Sequence, residues 1–449
     1  MNPTDVAGLE NYLDDRPADG VARVDRSIFT DQDLFELEMK QIWEKTWLFI
    51  GHEDQIRNAN DYFTTFMGRQ PVVVVRGADG VEVNVFINAC AHRGAQLVRE
   101  EVGNRSDFTC FFHGWCFNTS GDLMSVTKQN IGGYPEQFDK ADYGLTKVPK
   151  LEVYRGFIFA SLNDEAPTLK EHLADAAVMI DLLADQADDG FEVLKGVSTY
   201  TFDGNWKLQT ENGVDGYHVH QAHLNFALTT ANREKLRAGQ EHTKSMEVGQ
   251  LGAKGLNGGF FDFGNGHTML WGDWPNKGDR RPNFHQWAEW AEKYGEVRTG
   301  WMIGKLRNLQ LYPNVFIMDQ MSTQIRVFRP VSVDLTEVTV YCIAPKGEEP
   351  QYRRARVRQY EDFFNASGMA TPDDLAEFSY SQSGYMGTLA RWNDMSRGAQ
   401  HLTNGANKFA QELDLKTVTS GGRVEDEGIF IAQHKRWLEL MQAEQSAEK

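Results

Sequence analysis

Cys90-Ala-His92 is followed, after 17 intervening residues, by Cys110-Phe-Phe-His113. Thiolate sulfur is a soft donor suited to ferric iron and sulfide, whereas a neutral imidazole donates less and leaves more positive charge on the iron it binds. Two cysteines and two histidines in this order can therefore hold a [2Fe–2S] cluster, with the cysteines on one iron and the histidines on the other. Zinc accepts the same donors, but its usual sites put both cysteines in one half of the motif and both histidines in the other. Here each half supplies one of each, so each can sit on its own loop and reach both ends of a two-iron cluster. The order favours the cluster over structural zinc.

A second dense segment starts at Asn205-Trp-Lys207 and runs through Glu211-Asn-Gly-Val-Asp215-Gly-Tyr-His218-Val-His220-Gln-Ala-His223. On a continuous helix Asn212, Asp215 and His218 would share one face. His218 and His223 would point about 140° apart on such a helix, so they converge only if it widens or ends between them. The histidines alone would suit an unliganded surface helix. Two histidines with one carboxylate, however, form the facial triad of non-haem Fe(II), which leaves positions open for dioxygen and substrate.

The elements that must position these groups are partly legible. Residues 28–48 carry the spacing of an amphipathic helix, with Thr30 and Asp33 as its start signal. From Tyr62 to Leu162 short β-rich runs such as Pro71-Val-Val-Val-Val-Arg76 alternate with Gly, Asn and Asp turns, which predicts an all-β domain. Beyond Pro167 helices are expected near 168–187, 205–237 and 283–294, and strands near 193–202, 309–318, 323–332 and 336–344. The short Val333-Asp-Leu-Thr336 link predicts an antiparallel pair. The glycine-rich stretch 238–282 reads as a long mobile loop over a site, and the tail beyond Gln442 as frayed. The fold class expected is α+β. Three parts follow: an N-terminal helical segment, 1–46, packing on the catalytic domain; a β domain, 47–165; and a catalytic domain, 166–449, with an antiparallel sheet flanked by helices.

Composition bounds the rest. The chain has 449 residues, 41% hydrophobic, without an apolar run of the roughly 18 residues that a membrane span needs. A net charge of −18 disfavours nucleic acid as a partner. Met1 to Asp15 is acidic and lacks an apolar signal core, and four cysteines are too few for a disulfide scaffold, so a cytoplasmic location is expected. Cys116 and Cys342 read as small buried residues.

Cys90-Ala-His92-Arg-Gly94 and Cys110-Phe-Phe-His113-Gly-Trp115 resemble the two cluster-binding loops of Rieske proteins. Asp215-x2-His218-x4-His223 behind Asn-Trp-Lys resembles the catalytic motif of the Rieske ring-hydroxylating oxygenases. Respiratory Rieske proteins carry an additional cysteine in each loop; this chain has no such pair, which favours the oxygenase type. The resemblance extends from Phe29-Thr-Asp31 to Trp437. It includes Gly196-Val-Ser-Thr-Tyr-Thr-Phe-Asp-Gly-Asn-Trp-Lys207, Gln324-Ile-Arg-Val-Phe-Arg-Pro330 and Phe363-Phe-Asn-Ala-Ser-Gly-Met-Ala-Thr-Pro-Asp-Asp374. It is greatest to members acting on benzoate-, anthranilate- and toluate-type acids. Cys116, His220 and the stretch Leu224 to Leu228 depart from the pattern, the last in a position to line the pocket differently.

That resemblance implies a helix-grip-like catalytic fold, and Asp374 as the third iron ligand beside His218 and His223. Read locally, Asp373-Asp374 after Thr371-Pro372 is a helix start, with Asp373 as a capping residue. It further implies a Rieske [2Fe–2S] cluster on Cys90, His92, Cys110 and His113, and a mononuclear Fe(II). NADH and FAD would act only through a partner ferredoxin-type reductase. A small β subunit and a homotrimer of large subunits, α3β3, are implied as well. In such trimers the cluster of one subunit faces the iron of its neighbour, with Asp215 bridging His113 and His218 and Asn212 supporting the open side of the iron. The implied activity is cis-dihydroxylation of a benzoate-type carboxylate at ring positions 1 and 2. An anthranilate, toluate or halobenzoate dioxygenase, or a Rieske monooxygenase on a related aromatic acid, is the alternative. An acid-binding pocket needs a cationic or amide group. Arg326 and Arg329 face opposite ways on one strand, so at most one points inward; Arg307 and Asn308 are further candidates.

Overall fold

The computed structural model describes residues 8–131, 133–239 and 252–447. The chain divides into two compact units: Trp43–Leu169, and Met1–Ile42 together with Lys170–Lys449. No helix among the described residues is long and apolar enough to cross a membrane.

The unit Trp43–Leu169 is all β. Gln70–Arg76 lies between Val83–Ile87 and Asp61–Met67, and Val102–Asn104 completes this antiparallel sheet. Val72 to Val75 are all buried, as expected of a strand covered on both faces. A second sheet joins Asp107–Thr109, Cys116–Asn118 and Leu123–Ser125, and a third joins Lys150–Tyr154, Phe157–Ser161 and Leu48–His52. Arg155 and Gly156, both at positive φ, form the two-residue hairpin turn of that third sheet. The core packs Tyr62, Phe86, Phe108 and Phe117 against Cys90 and Cys110. Cys116 departs from the expected buried role. It is half-buried with Sγ 3.4 Å from Asp107 Oδ1, because alternation along Cys116–Asn118 gives the inward position to Phe117.

The other unit is built on a ten-stranded antiparallel sheet with helices packed around it. Its central order is Leu335–Pro345, Thr323–Ser332, Val315–Asp319, Lys305–Leu311, Thr268–Asp273, Gly258–Asp262. The pairing Leu270↔Asn308↔Met318↔Gln324 places one row of side chains on a single face, and Arg326, opposite Phe316, lies on that face in the next row. Cys342 is buried on the neighbouring strand, as expected.

Several expectations are corrected. Residues 258–273, expected within a loop, form two buried strands; 240–251 lie outside the described residues. Gly-Gly-Phe-Phe has no period-two alternation because both faces are covered, and its glycines permit close approach: a Cβ on Gly259 would meet Gly421 O at 2.2 Å. The segment near 193–202 is two strands, Phe191–Val193 and Ser198–Phe202, and that near 309–318 is Lys305–Leu311 and Val315–Asp319. A helix Glu296–Ile303 follows Trp287–Tyr294 without having been expected. The helix Gly428–Ala447 continues beyond Gln442 instead of fraying there. The helix expected over 28–48 is a 3-10 turn, an α-helix Gln32–Glu38 and a π-helical turn Met39–Trp43. Its cap is Asp31, whose carboxylate accepts from Asp33 and Leu34 N–H, and not Thr30.

Two clusters of buried charge brace this unit, the first joining three helices to one another and the second joining two strands of the sheet to neighbouring turns. Glu38, fully buried, accepts from Lys207 Nζ at 2.5 Å and from the indoles of Trp206 and Trp437 at 2.7 Å. Three donors satisfy one carboxylate, which is what a charge removed from water requires. Asp319 similarly accepts from Arg281, Arg307 and, at 2.8 Å, Gln186 Nε2.

Candidate metal centres and active site

Cys90 and Cys110 sit on loops with the same backbone closure. Cys90 N–H donates to Ala95 O and Gly94 N–H to Cys90 O, both at 2.8 Å; Cys110 N–H donates to Trp115 O at 2.8 Å and Gly114 N–H to Cys110 O at 2.9 Å. Gly94 and Gly114, at φ 70° and 74°, take the left-handed conformation the reversal demands. Both cysteines are buried, and burial pushes the Cys90 thiol up. The imidazoles of His92 and His113 stand 4.6 Å apart at the half-buried rim, and Trp115 stacks on His92 at 4.8 Å. Sulfur inside, imidazole at the rim and a buried His92 Nδ1 without a hydrogen-bond partner are what a two-iron cluster across both loops would use. Trp115, which stacks on the His92 ring, is present in the sequence reading only as a flanking residue of the second motif, without a role of its own.

In the other unit, Asn205 caps the helix Trp206–Asn212 by accepting from Lys207 N–H at 3.0 Å. The helix then ends, so the expectation that Asn212, Asp215 and His218 share one helical face is corrected: Asp215 lies in the following turn. A single-turn helix, Val219–Ala222, is bounded by His218 and His223, and the chain bends at His223 before Leu224–Leu236. That break makes two histidines five residues apart converge. His218 Nε2 and His223 Nε2 are 3.2 Å apart, and each is 3.4 Å from Asp374 Oδ1. Cis ligands about 2.1 Å from one first-row ion stand about 3 Å from each other, so this triangle matches one face of its coordination sphere.

Asp374 comes from the first turn of the helix Thr371–Tyr385. The cap position belongs to Ala370, so Asp373 does not cap it. Asn212 Nδ2 donates to Asp374 Oδ1 at 3.1 Å and lies 3.4 Å from His218 Nε2. Asp215 Oδ1 accepts from Tyr217 N–H at 2.6 Å, while Oδ2 stands 3.2 Å from His218 Nδ1, off the line of a well-directed hydrogen bond. Leu224 and Leu228, expected as possible pocket residues, are exposed, whereas Phe226 is buried. His220 is exposed.

The electrostatics favour a cation at the triangle. Burial alone would lower His218, yet the carboxylates of Asp215 and Asp374 outweigh it and raise it to about 10. Burial lowers His223. Burial would raise Asp374, but His218, His223 and Arg326 bring its carboxyl below the usual range. A proton on His218 thus holds together acceptors that a divalent ion would bind.

A small, partly open cavity adjoins the triangle, with Leu270, Leu306, Met318, Phe363 and Phe364 among its apolar walls. Arg326 and Asn308 line it too. Arg329 is on the opposite sheet face, paired with Glu337 at 2.7 Å, and Arg307 is consumed by Asp319.

Comparison with known proteins agrees with this architecture. Residues 46–135 match the Rieske [2Fe-2S] domain, and residues 191–402 match the catalytic domain of the ring hydroxylating alpha subunit. The chain is 49% identical to the toluate 1,2-dioxygenase subunit alpha of Pseudomonas putida over 96% of this chain and 94% of that one. It is 46% identical to the 2-halobenzoate 1,2-dioxygenase large subunit of Burkholderia cepacia over 96% and 92%. A naphthalene 1,2-dioxygenase structure with indole bound superposes with a TM-score of 0.78 at 25% identity, covering 93% of this chain and 92% of that one. The chain therefore belongs to the Rieske ring-hydroxylating dioxygenases, as a large subunit with a [2Fe–2S] domain and a domain for mononuclear iron, a terminal oxygenase that works with a reductase.

Proposed function

We propose that this subunit cis-dihydroxylates a benzoate-type aromatic carboxylate at ring carbons 1 and 2. One ring, one O2, NADH and a proton give one cis-diol and NAD+. The observation that carries the reading is the convergence of His218, His223 and Asp374 beside a largely apolar cavity. In this reading Cys90, His92, Cys110 and His113 hold the cluster, and the triangle holds Fe(II). When bound, the two groups would supply one-electron transfer to dioxygen, chemistry that side chains cannot perform. NADH and FAD stay on the reductase.

The chain's own residues position and exclude. Asn212 fixes the Asp374 carboxylate through its 3.1 Å hydrogen bond, and the apolar walls keep water from the ring. Asp215, with Oδ2 3.2 Å from His218 Nδ1, steadies that imidazole by its charge and, in a homotrimer of large subunits, meets the partner subunit's His113. A carboxylate of this kind fixes imidazole orientation, and its loss typically costs about 10- to 100-fold. Asp215→Ala is expected to keep all its iron and the cluster spectrum while coupled turnover falls by at least that much; full coupled turnover would overturn the bridging role. We assign the parts as 1–46, 47–165 and 166–449. A small β subunit, an α3β3 assembly and a cytoplasmic location complete the reading.

The test is reconstitution with an NADH-dependent ferredoxin-type reductase under labelled oxygen, offering benzoate, toluates, anthranilate and 2-halobenzoates. Two labelled atoms in a cis-diol support the reading. A single labelled atom makes the enzyme a monooxygenase, and inertness toward every acid overturns the substrate class.

A further inference from the structure

We propose that Arg326 binds the substrate's carboxylate and makes this enzyme select aromatic acids over neutral arenes. The inference rests on the aromatic-acid reading above and adds the residue that enforces it. Strand alternation leaves the choice between Arg326 and Arg329 open; the register closes it. Arg326 pairs with Phe316 on one side and Val340 on the other and lies on the cavity face, whereas Arg329 turns away to Glu337.

A buried guanidinium normally has an acid beside it, since removing the charge from water is costly unless it is paired. Five arginines are buried among the described residues: Arg76, Arg281, Arg307, Arg326 and Arg356. Four obey the rule, with Arg76 on Glu53, Arg281 and Arg307 on Asp319, and Arg356 on Glu348. Arg326, only 4% exposed, has no ion pair among the described residues. Its Nη2 reaches Thr371 Oγ1 at 3.5 Å, a hydroxyl that itself donates to Phe364 O, and its Nε has no acceptor. The hydroxyls of Tyr200 and Tyr360, close enough to feel the Arg326 charge, are also buried without partners.

Asp374 is near enough to be influenced by Arg326, but it is also the carboxylate of the metal triangle. Once a divalent ion takes Asp374, the guanidinium has no counter-charge of its own. A carboxylate on the ring supplies it, accepting from the planar fork that Arg presents to such anions. Asn308 is the rival anchor on the same wall. Its amide is engaged, however: Nδ2 donates to Gly213 O at 2.9 Å and Oδ1 accepts from Gln320.

The test uses the iron-loaded holoenzyme and compares benzoate with its neutral isostere benzamide, by calorimetric binding and by steady-state turnover with reductase. For Arg326→Gln, benzoate should bind about 10- to 100-fold more weakly, the value of a buried charge-assisted contact. KM should rise more than kcat falls, benzamide should bind as before or better, and iron content should be unchanged. Arg326→Lys should recover part of the benzoate affinity and serves as the readout if the glutamine variant loses iron. Equal losses for acid and amide in either variant, or unaltered benzoate binding, overturn the role of Arg326. If the wild-type enzyme itself binds no aromatic acid, the underlying reading fails; if it prefers acids and the variants keep that preference, only this inference does.

Discussion

Asp374→Ala is expected to abolish turnover, by about 10³-fold or more, while leaving the visible spectrum of the cluster intact. The carboxylate is the only acid of the triangle, and its Oδ1 stands 3.4 Å from both imidazole nitrogens. Under the proposed ligand set, its loss would leave a divalent ion with two neutral histidines and neither the third donor nor the negative charge. Iron per chain should fall from about three to about two, the two of the cluster remaining. Retention of the third iron would remove Asp374 from the ligand set. His220→Ala, an exposed position inside the same motif, should leave iron content and turnover unchanged.

The largest loss of stability is expected at Asp319. This carboxylate is 2% exposed and shared by Arg281 and Arg307, both buried, with Gln186 and Thr323 as further donors. Asp319→Ala strands two guanidinium groups away from water, and breaking one buried pair already costs about 3–5 kcal/mol. A fall of that size or greater should appear in the denaturant-induced unfolding of the catalytic unit. Replacing all three charged residues by apolar ones of similar volume should recover much of it, since the pairing compensates desolvation more than it adds net stability. Burial alone would raise the Asp319 carboxyl, but Arg281 and Arg307 outweigh it and hold it below 3.8. Its contribution is therefore complete above that unfolded value and is lost as pH falls through the lower folded one. A stability profile flat through the acid range would contradict this.

How far these sites could be read from sequence depended on distance along the chain. Each cluster half-motif keeps its Cys, His and Gly within five residues, so local spacing held nearly all the information. His218 and His223 were legible as a pair, but their convergence requires a helix break that periodicity reports only as a conflict. Asp374 lies far downstream, and resemblance alone pointed to it. Arg326 needed more than its own strand, because alternation gives two faces and only pairing to Val315–Asp319 says which one meets the cavity. The strands within 258–273 were hidden for the opposite reason: buried on both faces and rich in glycine, they carry neither alternation nor the bulky β-branched signal. Lys207, noticed only as part of Asn-Trp-Lys, proves to be a buried counter-ion to Glu38, across a separation that no local pattern records.

The β unit is entered through Leu48–His52 and left through Phe157–Ser161, strands that lie side by side with Leu48 opposite Ala160. A module whose two ends emerge together can be lifted out and replaced with little disturbance to the chain on either side. Its redox potential can thus drift, or be exchanged for that of another cluster cassette, without rewriting the scaffold that chooses the aromatic ring. Electron supply and ring selection are in that sense separately inheritable traits carried by one polypeptide.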